Sequence, residues 1–243
     1  MDESRTAPVS RRERPSKPAL TREGIVRAAL DVLQAEGLER VTMRRLAQEL
    51  DTGPASLYVY VRNTADLRAY MLDELLMGLD LTGPDGARDW RDRLVDLLMS
   101  YTLTLGAHPG LAISTLVTRP SGPGYLNVVE KVLALLSEGV DARQAAWGVD
   151  LLLHHATSTA AEQGARHRSP EADVDEDRVM AALSAATPET YPRIAALGMD
   201  LMSGDGPARM SWAFHVLLNG IADTQRTDGP SAPTPPGGVS PGS

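Results

Sequence analysis

The chain has 243 residues, of which 42% are hydrophobic but only 4% aromatic, and it carries a formal net charge of −8. That is enough apolar mass for one small and one larger domain, with core volume drawn from Leu, Val, Ala and Met, a mixture that favours helices over strands. The absence of cysteine excludes disulfides and thiolate metal sites. No signal-peptide pattern and no run of about 20 apolar residues is present, so the expected location is the cytoplasm.

Residues 1–19 form a leader with Arg5, Arg11, Arg12, Arg14 and Lys17 among Pro and Ser and no apolar period. It reads as a disordered basic arm that either follows a minor groove or serves only as a solubilising leader. The charge is distributed unevenly. Residues 1–68 hold 12 of the 24 Lys and Arg but 10 of the 32 Asp and Glu. The N-terminal end is therefore net positive while the remainder is strongly acidic, which points a polyanion to that end.

A helix is expected from Thr21 to Glu36, with Ile25, Ala28, Ala29, Val32 and Leu33 inward, ending at Gly37. Thr42 is placed to cap a second helix whose Met43, Leu46, Ala47 and Leu50 share one face while Arg44, Arg45 and Gln48 look outward. A break at Asp51-Thr52-Gly53 follows, and Pro54 suits the first turn of a short third helix. Leu57 and Val61 anchor that helix, leaving Ala55, Ser56, Tyr58, Val59 and Tyr60 to meet a groove and its phosphates. Thr64 is placed as the cap of a longer helix running to Leu79. Two short helices around a tight turn make a helix-turn-helix, and residues 20–66 read as a DNA-binding domain.

These motifs, with Thr42-Met43-Arg44-Arg45-Leu46-Ala47, Ser56-Leu57-Tyr58 and Val61-Arg62-Asn63 as they stand here, resemble the tetracycline-repressor (TetR) family of bacterial regulators. The resemblance implies a homodimer that binds a palindromic operator on double-stranded DNA and releases it when a small molecule enters a larger C-terminal domain. It also implies DNA contacts from Thr42, Arg44, Pro54, Ala55, Ser56, Tyr58, Val59, Tyr60 and Thr64. Thr64 replaces a lysine common at that position, with Arg62 close enough in sequence to compensate.

From Arg88 onward the pattern is a series of helices separated by Pro and Gly, without period-two strands: about Trp90–Gly106, Pro109–Val117, Gly124–Ser137, Asp141–Arg166 and Pro207–Arg226. A polar break from His167 to Asp173 precedes weaker helices near Arg178–Leu183 and after Pro188. The fold class is thus all-α, with residues 67–227 forming a ligand-binding and dimerisation domain and 228–243 a Gly-, Pro- and Ser-rich disordered tail. The helices around Val149, Leu152, Leu153 and Ala156, and around Phe214, Leu217, Leu218 and Ile221, are apolar on more than one face, so these residues are expected to meet a second copy.

Tyr101, Thr115, Trp147, Asp150, His154 and Glu162 are polar or aromatic positions at helical spacing among aliphatics, the mixture of a ligand pocket. Asp150 is either a pocket acid or an exposed one. The region can be aligned with the tetracycline repressor's own ligand-binding domain, but Thr115 falls where that protein has its metal-binding histidine and Asp80 where a histidine touches the drug. A magnesium-chelated tetracycline is therefore not the expected ligand. No metal or other cofactor is expected, because His154, His155 and Glu162 do not share a ligating face, and no catalytic motif is present. The alternative reading is a helical metal-dependent enzyme fused to a DNA-binding module.

Overall fold

The structure, a computed structural model, describes residues 19–82, 88–118 and 120–226. The basic arm up to residue 18 and the tail from residue 227 lie outside the described residues, where helices and their connections are the only regular structure. The chain divides into two units after Leu67.

In the first unit, α1 (Arg22–Glu36) is capped by Thr21, whose hydroxyl accepts from the Gly24 amide at 3.0 Å. It stops at Gly37, where φ of 87° lies in a region that a Cβ disfavours. A 3-10 turn (Leu38–Arg40) leads to α2 (Met43–Glu49), capped by the Thr42 hydroxyl on the Arg45 amide at 3.1 Å. The left-handed residue in the turn that follows is Asp51, with φ of 46°, whereas Gly53 is extended at φ −84°. α3 (Pro54–Leu57) is one turn long, and Tyr60 and Val61 continue its winding by donating to the Leu57 carbonyl. Ile25, Ala29, Leu46, Leu57, Val61 and Leu67 make a dry core.

α4 (Thr64–Met77) begins with Thr64 already inside the helix, so the cap expected at Thr64 belongs to Asn63. The Asn63 side-chain oxygen accepts from the Asp66 amide at 2.8 Å. Asn at this position does the work because its backbone lies outside the helix and its carbonyl already takes the Leu67 amide.

The second unit is built from α5 (Trp90–Gly106), α6 (Pro109–Val117), α7 (Pro123–Leu136), α8 (Ala142–Arg166), α9 (Ala172–Ser184), α10 (Pro192–Leu197) and α11 (Gly206–Asp223). α8 is the axis, with α5, α6, α7 and α11 packed around it. Leu94, Leu98, Leu105, Val128, Val132, Leu152, Ala156, Phe214 and Leu218 are completely buried. Small residues set the spacing. A Cβ on Gly164 would stand 2.6 Å from the Gly106 carbonyl oxygen, so α8 and the end of α5 touch backbone to backbone.

Two sequence expectations need correction. α9 starts at Ala172, earlier than the Arg178 expected, because the Ser169 and Glu171 carbonyls accept the amides of Ala172 and Asp175 and begin the winding inside a polar stretch. Leu152, Leu153, Ala156, Phe214, Leu218 and Ile221 are buried in the protomer's own core, and Val149 and Leu217 are half-buried against it. Their apolar character is satisfied within one chain. What α8 and α11 leave exposed is a different pair of strips, Trp147 and Leu151 on one and Trp212 and Val216 on the other.

Candidate nucleic-acid interface and effector site

Two adjacent arginines on α2 have opposite environments. Arg45 donates from Nε and Nη2 to Glu36 Oε1 at 3.0 and 2.6 Å, and from Nη1 to Glu49 Oε2 at 2.8 Å. This bidentate pair ties α2 to the last residue of α1, and the Arg45 guanidinium holds the Glu36 carboxyl below its usual range. Arg44 is exposed and makes no hydrogen bond or ion pair among the described residues, so its five donors remain for a ligand.

Beyond the turn, Leu57 and Val61 plug the core and Pro54, Ala55, Ser56, Tyr58 and Val59 stand in solvent. Tyr58 is 53% exposed and Val59 is 79% exposed, large values for apolar bodies between the completely buried Leu57 and Val61. Thr42 is exposed but spends its hydroxyl on the α2 cap, and Tyr60 and Thr64 are half-buried. Arg62 donates to both Asp66 oxygens, at 3.0 Å from Nη2 to Oδ1, and its side chain nonetheless remains 84% exposed. Arg44 on α2 and Pro54, Ala55, Ser56, Tyr58 and Val59 on and just after α3 are thus all exposed residues of the first unit.

The six expected pocket residues do not converge. Tyr101 is buried on α5, and its hydroxyl lies 3.0 Å from that of Thr157 on α8, also buried. Thr115 is half-buried and donates to the Leu111 carbonyl at 2.9 Å. Trp147, Asp150, His154 and Glu162 instead lie on exposed positions of α8. Trp147 has the Arg226 guanidinium 4.1 Å from its ring centre, and Glu162 pairs with Arg166 at 2.7 Å. For the metal alternative, His155 makes a T-shaped contact with Phe214 at 5.5 Å between ring centres, and Glu162 is paired with Arg166. Among the described residues no three His, Asp or Glu side chains gather.

Comparison with known proteins fits both units. Residues 25–71 match the family described as bacterial regulatory proteins, tetR family, and residues 82–225 match the tetracyclin repressor-like C-terminal domain. The chain belongs to the TetR family. It is 37% identical over 127 residues to the transcriptional repressor DrrR1 of Streptomyces coeruleorubidus, a match spanning 52% of this chain and 47% of that protein. The structure described as that of transcription regulator SCO7704 from Streptomyces coelicolor superposes with a TM-score of 0.70 at 53% identity, covering 88% of this chain and 100% of that one. The TetR-family protein ActR of Streptomyces coelicolor, solved in complex with actinorhodin, gives 0.75 at 33% identity over 84% of this chain and 96% of ActR.

As a TetR-family member the chain is a ligand-responsive transcriptional regulator that works as a dimer on DNA, and it is not an enzyme. Thr157, whose hydroxyl pairs with that of Tyr101, is a buried polar residue that sequence reading missed. The available signal was its place on the buried stripe of small residues Ala156, Ala160, Ala161 and Gly164, where a lone hydroxyl requires a partner. No helix among the described residues is long and apolar enough to cross a membrane.

Proposed function

We propose that this TetR-family chain is a cytoplasmic repressor that holds a palindromic operator through Arg44 and the exposed α3 surface of each protomer, and lets go when a small organic compound binds the second unit. The carrying observation is the contrast on α2: Arg45 is spent on Glu36 and Glu49, while Arg44, its chain neighbour, is presented to solvent, as are Ser56 and Tyr58. Tyr58 and Ser56 supply hydroxyl donors for phosphate oxygens, and Arg44 supplies a planar fork for a phosphate or a base edge.

The dimer is assigned to the strips that the protomer leaves exposed, Trp147 and Leu151 on α8 with Trp212 and Val216 on α11. The effector is a mainly apolar compound oriented by the Tyr101 and Thr157 hydroxyls. ActR, solved in complex with actinorhodin, supports an organic ligand. Asp150 and Glu162 give no reason to expect a cation, since both face solvent.

The test is fluorescence anisotropy on duplexes selected from a random pool with the full-length protein. With about 6–10 phosphate contacts, affinity falls on the order of 10³–10⁵-fold between about 50 and 200 mM salt. An affinity that does not move over that range, or a pool that yields no duplex, refutes the reading.

A further inference from the structure

The surface that α3 presents is almost devoid of the chemistry that reads bases by hydrogen bonds. From Gly53 to Val61 the sequence is GPASLYVYV, with no Arg, Lys, Asn, Gln, Asp or Glu. Bidentate readout of guanine takes Arg or Lys, of adenine Asn or Gln, and of cytosine a carboxylate acceptor. None of these is on this helix. What is on it is apolar: Pro54 and Ala55 are exposed in its first turn, and Val59, one helical turn beyond Ala55, is 79% exposed while Leu57 and Val61 on either side are completely buried. The two buried residues fix the helix, so Val59 points outward on a rigid support.

We infer that α3 and the turn that extends it read the half-site through thymine methyl groups, with Val59 as the principal specificity residue and Ala55 one turn before it. The thymine C5 methyl is the one apolar group that a base pair presents on the major-groove edge. Burying it against Val59 removes apolar surface of both partners from water, and the only side-chain hydrogen-bonding groups on the segment are the Ser56, Tyr58 and Tyr60 hydroxyls. Tyr58 and Ser56, whose hydroxyls satisfy phosphates or waters, hold register without selecting a base. Sequence discrimination by hydrogen bonds then rests on Arg44, contributed from α2. The inference rests on the DNA-binding reading above and adds the class of base that the helix selects.

The experiment uses the full-length protein and a palindromic duplex selected from a random pool. Each thymine is replaced by uracil, which removes only the C5 methyl, at symmetric positions of both half-sites. At the position facing Val59 the loss is about fourfold per methyl, and therefore on the order of 15-fold for the symmetric pair. Val59→Ala leaves the thermal midpoint unchanged because the side chain stands in solvent. It also weakens binding to the thymine duplex while shrinking the uracil effect to less than about twofold, the coupling expected of a direct contact. If no duplex is selected, the DNA-binding reading itself falls and the inference with it. If a duplex binds tightly but no uracil substitution costs more than about twofold, if its half-sites lack thymine, or if Val59→Ala keeps the full uracil penalty, the inference alone is overturned.

Discussion

Gly124→Ala is the most revealing single substitution in the second unit. The first turn of α7 has Gly122 at its cap position and so no side chain to satisfy its amides. Asp73, far away in sequence on α4, supplies the missing acceptor: its Oδ1 takes the Tyr125 amide at 3.1 Å. The close approach that allows this is bounded by two glycines. A Cβ on Gly124 would lie 2.3 Å from the Asp73 main-chain oxygen and 3.0 Å from the Met77 amide nitrogen, whereas a Cβ on Gly122 would lie 2.2 Å from the Asp73 carboxylate.

The two clashes have different remedies. A side chain can swing away at the cost of its cap, about 1 kcal/mol, but a backbone oxygen cannot move without shifting a helix, which costs about 1–3 kcal/mol. Gly124→Ala therefore loses both, about 2–4 kcal/mol, and regains at most about 1 kcal/mol from the better helix propensity of Ala. A net loss of about 1–4 kcal/mol corresponds to a fall in Tm of roughly 2–16 °C for a unit of this size. Circular dichroism at fixed protein concentration measures it. Asp73→Ala separates the causes, because adding it to Gly122→Ala costs little further while adding it to Gly124→Ala brings no relief. A Gly124→Ala protein as stable as the wild type, or the reverse pattern of relief, refutes the argument.

Arg44→Ala weakens duplex binding in anisotropy with Tm unchanged, while Arg45→Ala lowers Tm by releasing Glu36 and Glu49; equal effects of the two on Tm would contradict the assignment. Trp212→Glu, at a residue 70% exposed, gives a folded monomer by light scattering, whereas Leu218→Glu, at a fully buried position, gives unfolded protein because the charge has no partner in the core. A folded Leu218→Glu monomer would reverse this. Burial raises the Tyr101 phenol to about 12, the Thr157 hydrogen bond opposing it, so Tyr101 ionises late in a spectrophotometric titration of the folded protein. Because the folded value lies above the unfolded value of about 10, its contribution of about 2–3 kcal/mol is intact below pH 10 and disappears as pH rises toward about 12. Tyr101→Phe abolishes that alkaline dependence, and its persistence in the variant would assign it elsewhere.

The sequence by itself determined the helical class, most helix limits and the reading head. Thr21, Thr42 and Asp141 cap where their spacing to the apolar run places them, and Leu57 and Val61 are the residues of α3 and its extension that are completely buried. These are local properties, because an N-cap or a one-turn periodicity involves residues only a few positions apart. Tertiary structure alone decided which of two adjacent arginines is structural, since that depended on Glu36 arriving from another helix. It also decided that Leu152, Phe214 and Leu218 face the protomer's own interior, leaving Trp147, Leu151, Trp212 and Val216 outside. Periodicity reports that a face is apolar but not which helix covers it. The α4 to α7 cap by Asp73 and the Tyr101 to Thr157 pair arise from the same limit: an unsatisfied donor or a lone hydroxyl announces the need for a partner, and only the packing of distant segments names it.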